Sequence, residues 1–171
     1  MNHAYQAFYC EENIWQLSRE FPKSQIIFIL NEGPATQLYY QRASPHPFIP
    51  IYWDYHVILQ DSSTEKTLIY DLDSYLPFPI VAEEYWESTL NLNQEPLDAN
   101  CRLRIIPAAD YQRYFSSDRS HMKDDEGNWL KPPPSWDCIQ SKSLDPYFLV
   151  DILDTRNTEI GELVTLEKWL K

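Results

Sequence analysis

Glycine is scarce in this chain. Only Gly33, Gly127 and Gly161 occur among 171 residues, too far apart to assemble a P-loop or a dinucleotide fingerprint, so nucleotide-dependent chemistry is not expected. Cysteine is equally sparse: Cys10, Cys101 and Cys138 form an odd set without Cys-x-x-Cys spacing, which excludes a disulfide framework. With only four scattered histidines beside them, no metal site is expected and no cofactor is implied. Long apolar runs are missing too. The longest, Ile26 to Leu30, falls far short of the roughly 20 residues that span a bilayer. The first residues lack a basic-then-apolar signal pattern, so a reducing cytoplasm is the expected setting, without membrane association. Positive charge is the minority sign, 14 Lys and Arg against 26 Asp and Glu, for a net charge of -12. Nucleic acid and anionic membranes both require a basic face, and neither is an expected partner. A cationic ligand such as a free amino terminus is compatible with this field.

What is present is an ordered globule: 43% hydrophobic and 15% aromatic residues over a length suited to one domain, residues 1–171, expected to be monomeric. The pattern predicts an α+β fold. Cys10, Ile14, Leu17 and Phe21 recur on one helical stripe, and Pro22 ends it, so a helix is predicted over Cys10 to Phe21. Gln25 to Asn31 reads as a buried strand, and 33–50, with four prolines, as a long loop or frayed hairpin end. Tyr52 to Gln60 and Thr67 to Asp73 are β-prone around a turn-like 61–66, which predicts a hairpin. A helix is predicted over Val81 to Leu92 and a strand over Arg102 to Pro107. A polar loop over Tyr111 to Asn128 opens with one helical turn, Pro132 to Pro134 is extended, and a terminal helix starts at Leu166.

Chemistry concentrates at three residues. A cysteine at a helix N-terminus has its thiolate favoured by unpaired N–H groups and the helix dipole. Glu11 and Glu12 oppose that effect, so Cys10 needs a nearby imidazolium. In the hairpin, a two-residue turn at Ser63 and Thr64 would set His56 directly opposite Asp71, on one sheet face and with Cβ atoms about 5 Å apart. That spacing lets a carboxylate orient an imidazole and stabilise its cation. A one-residue slip of register would separate the pair.

At these residues the chain resembles a known family. Tyr9-Cys10-Glu11-Glu12-Asn13-Ile14-Trp15, Trp53-Asp54-Tyr55-His56-Val57 and Tyr70-Asp71-Leu72-Asp73 with Leu76-Pro77-Phe78-Pro79 resemble the protein N-terminal glutamine amidohydrolases. Ser117 to Lys123, and Gly127-Asn128-Trp129 with its following prolines, resemble them as well; Gly161 to Trp169 matches more weakly. The likeness runs in order along nearly the whole chain, except for the stretch between Asn31 and Trp53. The family also leads one to expect a longer segment ahead of the cysteine.

The resemblance implies a transglutaminase-like, papain-related fold, in which a helix bearing Cys10 packs on an antiparallel sheet bearing His56 and Asp71. It implies deamidation of the side chain of N-terminal Gln on proteins or peptides to Glu, feeding an N-degron pathway, without a cofactor. Cys10 would be the nucleophile, His56 the base and Asp71 its orienting partner. Recognition of the α-ammonium would fall to a carboxylate, with Glu11, Asp54, Asp73 and Asp118 as candidates. His121 reads as a solvated loop residue or a group supporting the site. Two other readings stay open: a transglutaminase or cysteine protease using the same triad, and an idle module that binds N-terminal residues.

Overall fold

A computed structural model describes residues 3–171. The chain runs α1 (Cys10–Ser18), β1 (Gln25–Asn31), β2 (Thr36–Leu38), β3 (Ile51–Trp53), β4 (Tyr55–Asp61), β5 (Leu68–Tyr70), β6 (Ile80–Val81) and α2 (Ala82–Thr89). It continues through β7 (Cys101–Pro107), α3 (Ala108–Tyr114), a single 3-10 turn (Ser120–Met122), α4 (Leu149–Leu153), β8 (Glu162–Thr165) and α5 (Leu166–Trp169). Six strands form one antiparallel sheet in the order β6-β5-β4-β1-β7-β8, and β2 pairs with β3 alone. The α+β expectation holds in this architecture. Among the described residues, no helix is long and apolar enough to cross a membrane.

Strand β1 lies at the centre, and five of its seven residues are buried because both sheet faces are covered. Ile26, Phe28 and Leu30 pack with Ile14 and Leu17 of α1 and Tyr111 of α3 on one face. Ile27 and Ile29 pack with Tyr85 and Trp86 of α2 and Leu166 of α5 on the other. The two-residue period of the strand therefore feeds two cores from one apolar run.

Several boundaries differ from the sequence reading. Helix α1 ends at Ser18, and the chain leaves through turns in which Glu20 N–H donates to Leu17 O and Phe21 N–H to Ser18 O. The expected strand over Tyr52 to Gln60 is broken at Asp54, so β3 serves the small sheet and β4 the large one. Helix α3 fills seven residues where one turn was expected. Strand β8 was missed because it is an edge strand with a single buried side chain, Val164, which hides the period-2 signal.

The tail is held from within. Fully buried Arg104 on β7 donates Nε–H to Ile152 O at 2.7 Å, Nη2–H to Asp154 O at 2.9 Å, and a third bond from Nη1 to Ile160 O. Gly161 follows with φ +61°, and a Cβ there would collide with the Ile105 carbonyl. Gly161→Ala is therefore expected to cost roughly 2–4 kcal/mol, combining left-handed backbone strain with the clash. Urea unfolding with an unchanged slope and a lowered midpoint would report it.

Candidate active site

Cys10 opens α1, whose N-cap Tyr9 contributes no side-chain capping bond to the first turn. The preceding segment is clamped: Gln6 N–H donates to Asn13 Oδ1 and Asn13 Nδ2 returns to Gln6 O, both at 2.8 Å. Phe8 adopts φ +70°, a left-handed conformation unusual for an aromatic residue, two residues before the cysteine. The buried Cys10 Sγ lies 3.8 Å from Glu11 Oε2, and the Val57 backbone N–H is directed at it. Burial, then the charges of Glu11 and Asp73, push the Cys10 thiol well above its ordinary range. The opposition expected from Glu11 is present, and burial adds to it by disfavouring the thiolate.

His56 lies near the start of β4, on the sheet face that also carries Ile58 and looks toward α2. The β4–β5 register runs Leu59↔Tyr70, Gln60↔Ile69 and Asp61↔Leu68. Extended, it sets His56 opposite Asp73 rather than Asp71, so the symmetric turn at Ser63 and Thr64 was misplaced. The offset is two residues, which preserves the face; a single-residue slip would not have. Asp71 leaves the strand end and its Oδ2 comes within 3.0 Å of His56 Nε2, with both side chains fully buried. The two groups form a close, buried ion-pair contact. Trp53 stacks on the imidazole with centroids 5.6 Å apart.

Asp71 is fixed by other donors. Tyr85 O–H donates to Oδ2 at 2.8 Å, Gln41 Nε2 to Oδ2 at 3.4 Å and Asp73 N–H to Oδ1 at 2.9 Å. Burial alone would raise its carboxyl; the His56 charge and these donors overcome it and hold Asp71 below the ordinary range. The reciprocal effect acts on His56, where burial disfavours the cation but Asp71 and Asp73 prevail and raise it. His56 Nδ1 is buried without a hydrogen-bond partner. The contact joins an orienting carboxylate to an imidazole with one nitrogen in reserve.

Asp73 also lies buried beside this pair and accepts the Tyr5 O–H on Oδ1 at 2.7 Å. The N-terminal segment thus reaches the site, a contribution the sequence left undefined. Donor atoms of His56, Asp71 and Asp73 lie within 4.8 Å of one another, the spacing of a metal cage. They fit a cation poorly, because Tyr5, Tyr85 and the Asp73 N–H already occupy carboxylate lone pairs.

The two glutamates after Cys10 are both buried, and only one is fully paired. Glu12 takes a bidentate pair from Arg119 at 2.7 and 2.8 Å, Trp136 Nε1–H at 2.7 Å and a bond from Ser117 Oγ. Arg119 holds φ +56° to make it. Glu11 Oε2 accepts the Tyr55 O–H at 3.0 Å, while Oε1 is 3.6 Å from His121 Nε2 and has no hydrogen-bond partner. Burial pushes the Glu11 carboxyl up to about 7. His121 is no free loop histidine: it packs on Tyr55 and Glu11, and burial lowers its pKa against the charges of Asp118 and Asp54. Asp54 and Asp118 are exposed, the first accepting the Tyr55 N–H and the second Ser120 N–H and O–H.

The structure thus brings Cys10, Glu11, His56 and Asp71 to one end of the sheet, with Asp54 and Asp118 outside it around His121. Sequence reasoning missed Tyr85, Gln41 and Tyr5, since a phenol or amide that serves a carboxylate carries no local signature. Comparison with known proteins agrees with the motifs. The family model described as N-terminal glutamine amidase matches residues 5–171. The protein N-terminal glutamine amidohydrolase of Danio rerio is 36% identical, over 98% of this chain and 87% of its own. Those of Bos taurus and Homo sapiens are 41% and 40% identical over 80% of this chain, and 70% and 71% of theirs. The chain belongs to the N-terminal glutamine amidase family.

Proposed function

We propose that this protein is a thiol amidohydrolase that converts N-terminal glutamine of peptides or proteins to glutamate and releases ammonia, with Cys10, His56 and Asp71 as its catalytic groups. The buried His56–Asp71 contact, reached from two elements beside a helix-terminal cysteine, carries this reading. His56 Nδ1, the nitrogen not committed to Asp71, takes the Cys10 proton as sulfur attacks the carboxamide carbon. The protonated imidazole gives that proton to the departing nitrogen, so ammonia leaves and a γ-glutamyl thioester remains. Water, deprotonated by His56, then attacks the thioester carbon; the C–S bond breaks, sulfur regains a proton, and glutamate is released. The backbone N–H of Cys10 stabilises the oxyanion in both steps, a contribution of about 3 kcal/mol.

No hydrogen bond joins Sγ to His56 at rest, and such contacts tighten when substrate binds. Tyr5 and His121 touch the buried set and also reach solvent, and we take substrate to approach past them. The helix-borne cysteine against strand-borne histidine supports a transglutaminase-like, papain-related fold carried by one domain over 1–171. Three free thiols fit a reducing cytoplasm, where the product's N-terminal Glu would feed an N-degron pathway. We take the enzyme to act there as a monomer.

A peptide beginning in Gln, its N-acetylated form and an internal-Gln peptide separate the possibilities. Mass spectrometry is expected to find amide-to-acid conversion with the free-terminus peptide alone. Amine incorporation would indicate a transglutaminase, backbone cleavage a protease, and binding without turnover an idle module; each would overturn the proposal.

A further inference from the structure

Selectivity for a chain terminus needs a group that distinguishes a free α-ammonium from an amide. The carboxylates near the site differ in what they already hold. Glu12 is saturated by Arg119, Trp136 and Ser117. Asp71 serves His56, Tyr85, Gln41 and the Asp73 N–H. Asp54 and Asp118 are exposed and brace their own loops. Glu11 alone in this set has a buried carboxylate oxygen, Oε1, with no hydrogen-bond partner. A carboxyl oxygen left bare in the interior is costly, and an ammonium donor both relieves that cost and favours the ionised form of Glu11, whose carboxyl burial pushes up to about 7.

Building on the amidohydrolase reading above, we propose that the Glu11 carboxylate, oriented by Tyr55 and covered by His121, receives the α-ammonium of the substrate and sets its N-terminal selectivity. Reach agrees. The carboxamide carbon and α-nitrogen of glutamine are four bonds apart, at most about 5 Å by ordinary bond lengths. Glu11 Oε2 lies 3.8 Å from Sγ, so its side chain stands within one glutamine length of the reacting atom. Tyr55 O–H fixes Oε2 at 3.0 Å, leaving Oε1 for the incoming donor. His121 is held toward its neutral form by burial, so it does not neutralise the carboxylate beforehand. Asp54 and Asp118, whose charges act on His121, make the approach negative and favour a cation. Acetylation would remove the charge and add bulk at that oxygen, so a blocked terminus is expected to be rejected.

The test compares a Gln-initiated peptide with its des-amino analogue, in which a 4-carbamoylbutanoyl group replaces glutamine. Wild type is expected to prefer the former. Glu11→Gln is expected to lower kcat/KM on the Gln peptide by about tenfold to a hundredfold, the range for a hydrogen bond to a charged group. Because the Glu11 charge also raises the Cys10 thiol, any change through that route acts on both peptides alike, and the expected readout is loss of the preference for the Gln peptide. A structural or acid–base role for Glu11 would depress both substrates alike and overturn the inference. So would loss of the preference in Asp73→Asn instead, or equal use of both peptides by wild type. No turnover of the Gln peptide by wild type would overturn the amidohydrolase reading itself. If Glu11→Gln does not fold, Tyr55→Phe, which frees the carboxylate from its orienting donor, is expected to erode the preference in the same direction.

Discussion

Replacing Cys10 by alanine is expected to lower kcat/KM on a Gln-initiated peptide by a factor on the order of 10⁵ to 10⁶, the range seen when a covalent nucleophile is removed. What remains would come from binding and the oxyanion donor. No other thiol can take over: Cys101 is buried in the sheet and pushed up to about 11 by that burial, and Cys138 lies on a loop. Steady-state kinetics with mass-spectrometric detection checks the loss. Retained activity, or a loss that follows Cys101 or Cys138, would remove Cys10 from the mechanism. Because burial holds Cys10 as a thiol, its alkylation by iodoacetamide should depend on His56 as base and slow in His56→Ala.

Asp71→Asn carries the second largest effect, a loss of about 10³ to 10⁴ in kcat, as expected when an imidazole loses its orienting carboxylate. The pH profile separates orientation from simple damage. Burial depresses the His56 pKa, and the Asp71 charge, with help from Asp73, raises it above the ordinary value. Removing the Asp71 charge leaves burial less opposed, so the His56 pKa falls. The base then stays neutral to lower pH, and the acid limb of kcat/KM must move to lower pH while the plateau drops. A plateau that drops with an unmoved limb would mean that Asp71 does not set the base. The Asp73 N–H can still donate to the asparagine Oδ1, and the Tyr85 hydroxyl, turned to accept, can meet its Nδ2, so misfolding should not obscure the shift.

Much of this arrangement is legible before folding. The stripe Cys10, Ile14, Leu17 locates α1, because burying one face of a helix demands that spacing. The β-prone runs around a polar turn locate β4 and β5, and side-chain parity alone puts His56 and Asp71 on one face. What parity cannot supply is register. Six residues between Asp61 and Leu68 can close in several ways, and the one adopted sets Asp73, not Asp71, opposite His56. The break at Asp54 and the edge strand β8 are equally silent, since each depends on which neighbour offers hydrogen bonds.

The sequence by itself determined the reactive residue types, their order along the chain, the elements that carry them and the family to which they belong, because these follow from local periodicity and contiguous motifs. Tertiary structure alone decided their electrostatics. Glu11 and Glu12 read as two equivalent acids in the first turn of a helix, yet Arg119, more than a hundred residues away, pairs with Glu12 and leaves Glu11, next to Cys10, with an unpartnered oxygen. Burial likewise makes Cys10 a thiol where the helix terminus alone argued for thiolate. Desolvation and pairing depend on what the whole chain packs around a group, and no stretch of sequence around that group contains it.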